Sequence, residues 1–181
     1  MITSIRMNQW ETNSSSVHQL VIKGGNCVVP KSVSIYGGEY GWGHDVLKTT
    51  NEKLSYVFTN LYYLSSKEEF DEVYEELKQF LYDSGVKEIG DPDFKDRPED
   101  SWSCCKFYDM KGYVDHQSLG TGNFVSMIKN HSGDLYTLLF DPTSYITIGN
   151  DNDCAYYDED ADKWVEDDWW EEPEEEEDDE E

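Results

Sequence analysis

The acidic residues of this chain are concentrated at its C-terminal end, which limits the part of the chain that can form a core. Residues 158–181 contain 17 Asp or Glu and one lysine, so this segment holds −16 of the formal net charge of −26. Carboxylates are almost never fully buried without a partner. We therefore predict a globular domain over residues 1–157, followed by an acidic, tryptophan-containing tail over residues 158–181 that is disordered.

The net charge also excludes several classes of partner. A chain with 40 acidic and 14 basic residues repels nucleic-acid phosphates and anionic membranes, so neither is expected to bind directly. No apolar run reaches the roughly 18 residues of a transmembrane helix, and the N-terminus lacks the apolar stretch of a signal peptide. We predict a cytoplasmic protein whose partner is a basic protein.

Hydrophobic periodicity and turn residues predict both strands and helices. Ser66 with Glu69 three residues later forms a capping box, apolar residues follow at helical spacing, and Gly85 ends that helix. The other predicted elements are strands at 2–7, 17–22 and 32–36, helices at 51–64 and 122–129, and a hairpin of 135–140 with 144–148. Because strands and helices do not alternate strictly, the pattern indicates an α+β fold. We expect a single domain with a mixed, mostly antiparallel sheet and two or three helices.

The cysteines and acidic runs do not match a known metal motif. Neither C-x-x-C nor H-E-x-x-H occurs, and the acidic runs after residue 150 lack the Gly and Glu positions of an EF-hand. We therefore predict no metal site and no cofactor, with reduced thiols. The alternative is a composite site that uses Cys104, Cys105 and Cys154 with one of three histidines, His44, His116 or His131.

The glycine-rich segment 37–43 does not match a nucleotide-binding loop. It lacks the Lys-Ser/Thr end of a phosphate loop and the G-x-G-x-x-G pattern of a dinucleotide loop, and Glu39 would repel phosphate. We expect a tight turn with Tyr40 and Trp42 packed on the domain.

Two polar stretches contain the residue types of nucleophilic catalysis. The first contains Ser15 and His18, and the second contains Asp115 and His116. A serine nucleophile needs a base within hydrogen-bond reach, and that base must be oriented by a third group. Adjacent side chains on a strand point to opposite faces, so Asp115 does not orient His116. A triad of one serine from 14–16, either His18 or His116, and an acid remains one interpretation. The alternative is a polar loop whose hydroxyls and amides satisfy backbone groups in turns.

Four segments carry a resemblance to a known family, namely 11–18 (ETNSSSVH), 38–42, 115–118 and 149–152. In these segments the chain resembles a family of small phage and prophage proteins with an N-terminal E-T-N-S-S-S-x-H signature. This chain has Val17 where the family usually has Ser or Thr. The resemblance implies a phage-encoded protein in the host cytoplasm, and the family has no established activity.

Short polar motifs that are separated in sequence suit one shared site. The catalytic candidates are Ser15, His18, Asp115 and His116. The binding candidates in the domain are Asn13, Ser14, Ser16, Glu39, Trp42 and Asp151.

Three functions are compatible with the sequence. The first is a non-enzymatic acidic protein that blocks a basic nucleic-acid-binding host or defence protein by charge mimicry, with Trp164, Trp169 and Trp170 as apolar anchors. For Trp164 and Trp169, the alternative is that they fold back onto the domain. The second is a small enzyme that acts on a nucleotide or phosphorylated substrate through the polar site. The third is a virion or assembly accessory protein.

Overall fold

The computed structural model describes residues 2–6, 16–41, 43–61, 64, 66–90, 92–94, 112–114, 121–150 and 155–166. The helices in this part of the chain are α1 (Thr50–Leu61), α2 (Lys67–Ser84), α3 (Thr121–Lys129) and α4 (Gly133–Phe140). The strands are β1 (Ile2–Arg6), β2 (Ser16–Lys23), β3 (Ser32–Val33), β4 (Tyr36–Gly37), β5 (Glu39–Tyr40), β6 (Asp45–Leu47), β7 (Glu88–Ile89), β8 (Asp93–Phe94), β9 (Tyr113–Val114), β10 (Tyr145–Asn150), β11 (Ala155–Asp158) and β12 (Lys163–Glu166).

The central sheet has four strands in the order β1-β2-β10-β6, and all neighbouring strands are antiparallel. Leu20 of β2 lies opposite Ile146 of β10, which lies opposite Leu47 of β6. Partners in an antiparallel pair share a face, so these side chains line one face and join the core that includes the helices. The predicted single α+β domain is confirmed, and the described residues form four helices rather than two or three.

Among the described residues, parallel pairing is confined to three two-stranded ladders, β3–β7, β4–β8 and β5–β9. The predicted strand over 32–36 is divided between β3 and β4, with Ile35 buried between them. The ladders attach residues 32–40, which precede α1, to residues 88–94 and 113–114, which follow α2. They lie outside the central sheet, so the described part of the chain has no single mixed sheet.

Helix α1 is buried on all sides. Nine consecutive residues, from Lys53 to Leu61, are buried, which is typical of a helix at the centre of a packed layer. Its first turn has a capping box: Thr49 N–H donates to Glu52 Oε2 at 2.8 Å, and Glu52 N–H donates to Thr49 Oγ1 at 3.2 Å.

Helix α2 has the predicted ends. Ser66 Oγ accepts a hydrogen bond from the backbone N–H of Glu69 at 3.1 Å. Gly85 follows the last turn with φ 110°, a left-handed conformation that favours glycine. The buried face consists of Phe70, Val73, Leu77, Phe80 and Leu81.

The predicted hairpin over 135–148 is wrong, because its first half is helix α4. Ser132 caps this helix and accepts from the backbone N–H of Asp134 at 3.2 Å. Leu135, Leu138 and Leu139 follow at helical spacing and are fully buried. A short apolar run fits a strand and a helix equally well, and here the N-cap decides.

Strands β11 and β12 form a hairpin on the other face of the central sheet, which we name the acidic hairpin (residues 155–166). The ring of Tyr157 in the acidic hairpin lies 5.6 Å from that of Tyr145 in β10. A Cβ on Gly149 of β10 would meet the Trp164 ring at 2.9 Å. The boundary predicted at residue 157 therefore falls inside this hairpin, and the folded part extends through Glu166. Residues 167–181 lie outside the described part.

Candidate functional site

The chain enters β2 and leaves β10 at one end of the central sheet. Ser16, the first residue of β2, pairs with Asn150, the last residue of β10. The N-terminal polar stretch and the stretch after β10 therefore join the sheet at neighbouring positions. Four predicted site residues of these stretches lie outside the described residues: Asn13, Ser14, Ser15 and Asp151.

A second pair of predicted stretches meets in the β5–β9 ladder. Glu39 pairs with Tyr113, and Tyr40 pairs with Val114, the residue that precedes the Asp115–His116 motif. The side chain of Glu39 is exposed, whereas Tyr40 and Val114 are buried. Asp115, His116 and Trp42 lie outside the described residues.

Three buried side chains link the two meeting points. His18 of β2 and Tyr56 of α1 share a hydrogen bond, with His18 Nδ1 at 2.7 Å from the Tyr56 hydroxyl. The Tyr56 ring contacts the Tyr40 ring edge to face at 5.0 Å. Burial raises the pKa of Tyr40 well above its usual value, so its hydroxyl stays protonated. The contacts of His18 with Tyr56 and of Tyr56 with Tyr40 therefore connect β2 through α1 to β5.

The burial of His18 fits a positioning role. The residue is 5% exposed, and its ring lies against α1. A general base must reach the proton that it removes from substrate, and such a deeply buried imidazole fixes neighbouring elements instead. The backbone of Ser16 is two residues away on the same strand.

Glycines allow the close approach of backbone segments at this site. A Cβ on Gly38 would lie 2.3 Å from the Tyr40 ring, and a Cβ on Gly112 would lie 2.6 Å from Gly38 O. Gly38 N–H donates to Thr59 Oγ1 of α1 at 3.2 Å. The glycine-rich segment therefore packs Tyr40 tightly against the domain, as predicted. The hydrogen bond from Gly38 to Thr59 also fixes this segment to α1.

A buried lysine, missed by the sequence analysis, lies at the opposite end of the sheet. Lys53 of α1 is fully buried, and its Nζ donates to the carbonyls of Asp141 at 3.0 Å and Ser144 at 2.9 Å. Burial lowers its pKa to about 8. The available signal was spacing, because Lys53 precedes Val57 and Leu61 at intervals of four, on the same side of the helix as these apolar residues.

The Asp141 carboxylate is fixed beside this lysine. Burial alone would raise the pKa of Asp141, but hydrogen bonds from the Thr143 hydroxyl and backbone N–H, both to Oδ1, lower it. The carboxylate therefore stays ionised at neutral pH and favours the charged form of Lys53.

The described residues contain no group of three or more His, Cys, Asp or Glu that could hold a metal ion. Cys27 is the free cysteine of that part, and burial raises its thiol pKa. The remaining cysteines of the composite alternative, Cys104, Cys105 and Cys154, lie outside it.

Of the predicted anchors, Trp164 packs within its own chain. It stacks on His44 with ring centroids 4.7 Å apart, contacts Tyr157 at 5.9 Å, and lies over Gly149. In this conformation Trp164 therefore folds back onto the domain, as in the alternative to an exposed anchor. Trp169 and Trp170 lie outside the described residues.

Comparisons with known proteins add no family assignment. No protein-family model, curated protein or solved structure matches the chain. Among the residues described, no helix is both long and apolar enough to cross a membrane.

Proposed function

We propose that this chain is a phage-encoded acidic interaction protein that acts in the host cytoplasm. It binds a basic, nucleic-acid-binding protein of the host or of its defences and blocks the groove in which nucleic acid would bind. Carboxylates substitute for phosphates in such a complex, because they attract the same cationic side chains and displace the same counterions.

The observation that carries the proposal is the partition of charge within the chain. Five lysines of the described part each pair with a carboxylate of the same chain: Lys23 with Glu159, Lys48 with Asp162, Lys67 with Asp71, Lys78 with Glu75, and Lys129 with Glu72. Residues 167–181 contain twelve acids and no base. A basic partner therefore meets a large surplus of carboxylates, whereas five of the lysines that a phosphate would meet already pair with carboxylates.

Helix α2 adds a rigid acidic surface to this surplus. It contains seven acids and two lysines, and five of the acids are exposed: Glu68, Asp71, Glu72, Glu75 and Asp83. Three of the five, Asp71, Glu72 and Glu75, already pair with lysines, so their charge is partly neutralised. These five lie within sixteen residues, from Glu68 to Asp83, or about 22 Å of helix. This density is lower than that of one DNA strand, with one charge per about 3.4 Å. The helix therefore supplements residues 167–181 without replacing them.

The test is competition with DNA for a basic protein. A histone-like protein loaded with fluorescent duplex DNA should release the DNA when the chain is added at low salt. Release should weaken steeply from 50 to 300 mM salt, because it depends on counterion exchange. The full-length variant with the twelve acids of 167–181 changed to Gln or Asn should lose competition at least about tenfold.

A control variant carries Gln or Asn at the five exposed acids of α2. If it loses more competition than the variant of 167–181, the proposed binding segment is wrong. If the wild-type chain releases no DNA at 50 mM salt, charge mimicry itself is wrong.

The second candidate is a small enzyme for a nucleotide or phosphorylated substrate, favoured by the buried link between the β2–β10 and β5–β9 meeting points. Changing His116 to Asn should then abolish turnover of such substrates, and changing the exposed His131 to Asn should not. Equal turnover in both variants would remove this candidate.

A further inference from the structure

The acidic hairpin is attached to the sheet by two clusters of the same chemistry. In the first, Lys23 Nζ and the Tyr145 hydroxyl both donate to the Glu159 carboxylate. In the second, Lys48 Nζ and the Tyr157 hydroxyl both donate to Asp162 Oδ1. Each carboxylate thus receives one ammonium group and one phenol.

The tyrosine rings complete both ammonium sites. Lys23 Nζ lies 5.4 Å from the centroid of the Tyr145 ring, and Lys48 Nζ lies 5.5 Å from that of Tyr157. Both distances are within the range of a cation–π contact. A carboxylate next to an aromatic face is a general receptor for a primary ammonium group. Here Lys23, the last residue of β2, and Lys48, directly after β6, fill the two receptors.

These contacts favour the ionised carboxylates. Hydrogen bonds from Lys23 and Tyr145 lower the pKa of Glu159, and hydrogen bonds from Lys48 and Tyr157 lower that of Asp162. Both groups therefore remain negative at neutral pH, so any other ammonium group that reaches them is attracted in the same way.

The rest of the attachment is incomplete. An open cavity of about 180 Å³ remains beneath the acidic hairpin, lined by Lys23, Lys48, Thr143, Tyr145 and Tyr157. The indole N–H of Trp164 is buried and has no hydrogen-bond acceptor within the described part of the chain. A hairpin with two four-residue strands is marginal by itself, so its position depends on these few contacts.

We propose that the acidic hairpin is a displaceable recognition element for a lysine-rich segment of the partner. The partner's ammonium groups replace Lys23 and Lys48 at Glu159 and Asp162. The acidic hairpin then leaves the sheet, which separates Glu159 from Tyr145 of β10 and keeps Asp162 beside Tyr157 within the hairpin, and Trp164 becomes an apolar anchor for the partner. This inference rests on the proposed function, and it identifies the partner's lysines as the groups that are recognised.

Charge explains why a lysine-rich segment can compete with lysines of the same chain. Exposed ion pairs are weak and exchange readily, and Glu159 and Asp162 are 44% and 69% exposed. A segment with several lysines also contacts the twelve acids of residues 167–181, which continue directly from β12. Its second contact is then intramolecular, which raises the effective concentration of its ammonium groups at the acidic hairpin.

The experiment uses the full-length chain and a decalysine peptide at 50 mM salt, with hydrogen exchange read by peptide mass spectrometry. Decalysine should accelerate exchange in residues 155–166 and leave α1 unchanged. In the variant K23Q/K48Q, exchange in 155–166 should be about fivefold faster than in wild type without any peptide, because two exposed ion pairs are lost. The same variant should bind decalysine about fivefold more tightly, because no lysine of its own competes for the two carboxylates. The control K67Q/K78Q removes two lysines that pair with acids on α2, so the net charge changes equally, but exchange in 155–166 should not change.

Two results would overturn the inference. One is decalysine binding with exchange in 155–166 unchanged or slowed, which would leave the proposed charge-driven function intact. The other is equal exchange in 155–166 for K23Q/K48Q and K67Q/K78Q, which would show that the two lysines do not hold the acidic hairpin. If decalysine does not bind at all, both the proposed function and this inference fail.

Discussion

Two regions of the molecule bind lysine ammonium groups in contrasting ways. Lys53 is fully buried and donates to two backbone carbonyls in the turn between α4 and β10. Lys23 and Lys48 are partly exposed, and each contacts a carboxylate of the acidic hairpin. Removing a buried donor leaves its acceptors unsatisfied, whereas water replaces an exposed one. The first contact should therefore stabilise the whole fold, and the second should control only the position of the hairpin.

The largest expected effect is that of Lys53→Met. This change removes the donor to Asp141 O and Ser144 O and leaves the buried Asp141 carboxylate without its cation. The free energy of unfolding should therefore fall by about 3 kcal/mol. Urea unfolding followed by circular dichroism measures the change. Lys67→Met on exposed α2 is the matched control and should stay within about 0.5 kcal/mol of wild type. A loss below about 1 kcal/mol for Lys53→Met would remove the contrast between the two regions.

Alkaline pH should give the next largest effect, through the same lysine. The folded pKa of Lys53 is about 8 and its usual value is 10.5, so the folded state releases this proton first. The unfolding free energy should therefore rise by about 2 kcal/mol between pH 8 and 10. Above about pH 10 it should fall, because tyrosines ionise in the unfolded chain while burial raises the pKa values of Tyr40 and Tyr145.

Unfolding titrations from pH 7 to 11 measure this profile. Lys53→Met should lack the rise between pH 8 and 10 and keep the fall at higher pH. Parallel curves for the variant and the wild type would show that Lys53 does not titrate in that range.

The difference between the two regions also explains which parts of the fold could be predicted. The ends of α2 depend on local residues, and Ser66 and Gly85 identified both. Helix α4 was mistaken for a strand because the apolar run 135–140 is short enough for either structure. Its identity follows from the cap at Ser132 and from burial against the rest of the core, which periodicity alone does not show.

The acidic hairpin was missed for an electrostatic reason. Composition indicates disorder for a segment as acidic as 158–181, since such a segment cannot bury its carboxylates. The structure places Glu159 and Asp162 next to lysines that are more than a hundred residues away in sequence. Charge pairing over this separation depends on the fold, so a single sequence could not show it.

The candidate site was predictable only as a set of motifs. Their spacing gave no reason to place Ser16 beside Asn150, because that pairing depends on the register of β2 with β10. The link through Tyr56 was also absent from the motifs, since this residue lies on a helix that is buried all round. Strand register and helix burial are tertiary properties, and both were needed to connect the motifs.

The smallest expected effect is local: acid pH should release the acidic hairpin, and a probe on Trp164 separates this release from the titration of Asp141, whose pKa is also lowered. Glu159 and Asp162 have lowered pKa values in the folded state, so their contribution is present above their usual values of 4.5 and 3.8 and is lost as the pH falls through the lower folded values. As the pH falls through these lowered values, the hairpin should leave the sheet while α1 stays folded. The indole N–H resonance of Trp164, assigned with Trp164→Phe, should shift in that range, and the α1 amides should not.

The variant E159Q/D162N should show the shifted resonance already at pH 7. An unshifted Trp164 resonance in this variant would mean that the contacts of Trp164 with Gly149 and His44 hold the hairpin without its ion pairs. The lysines of the acidic hairpin clusters and Lys53 would then differ in burial, but not in what they control.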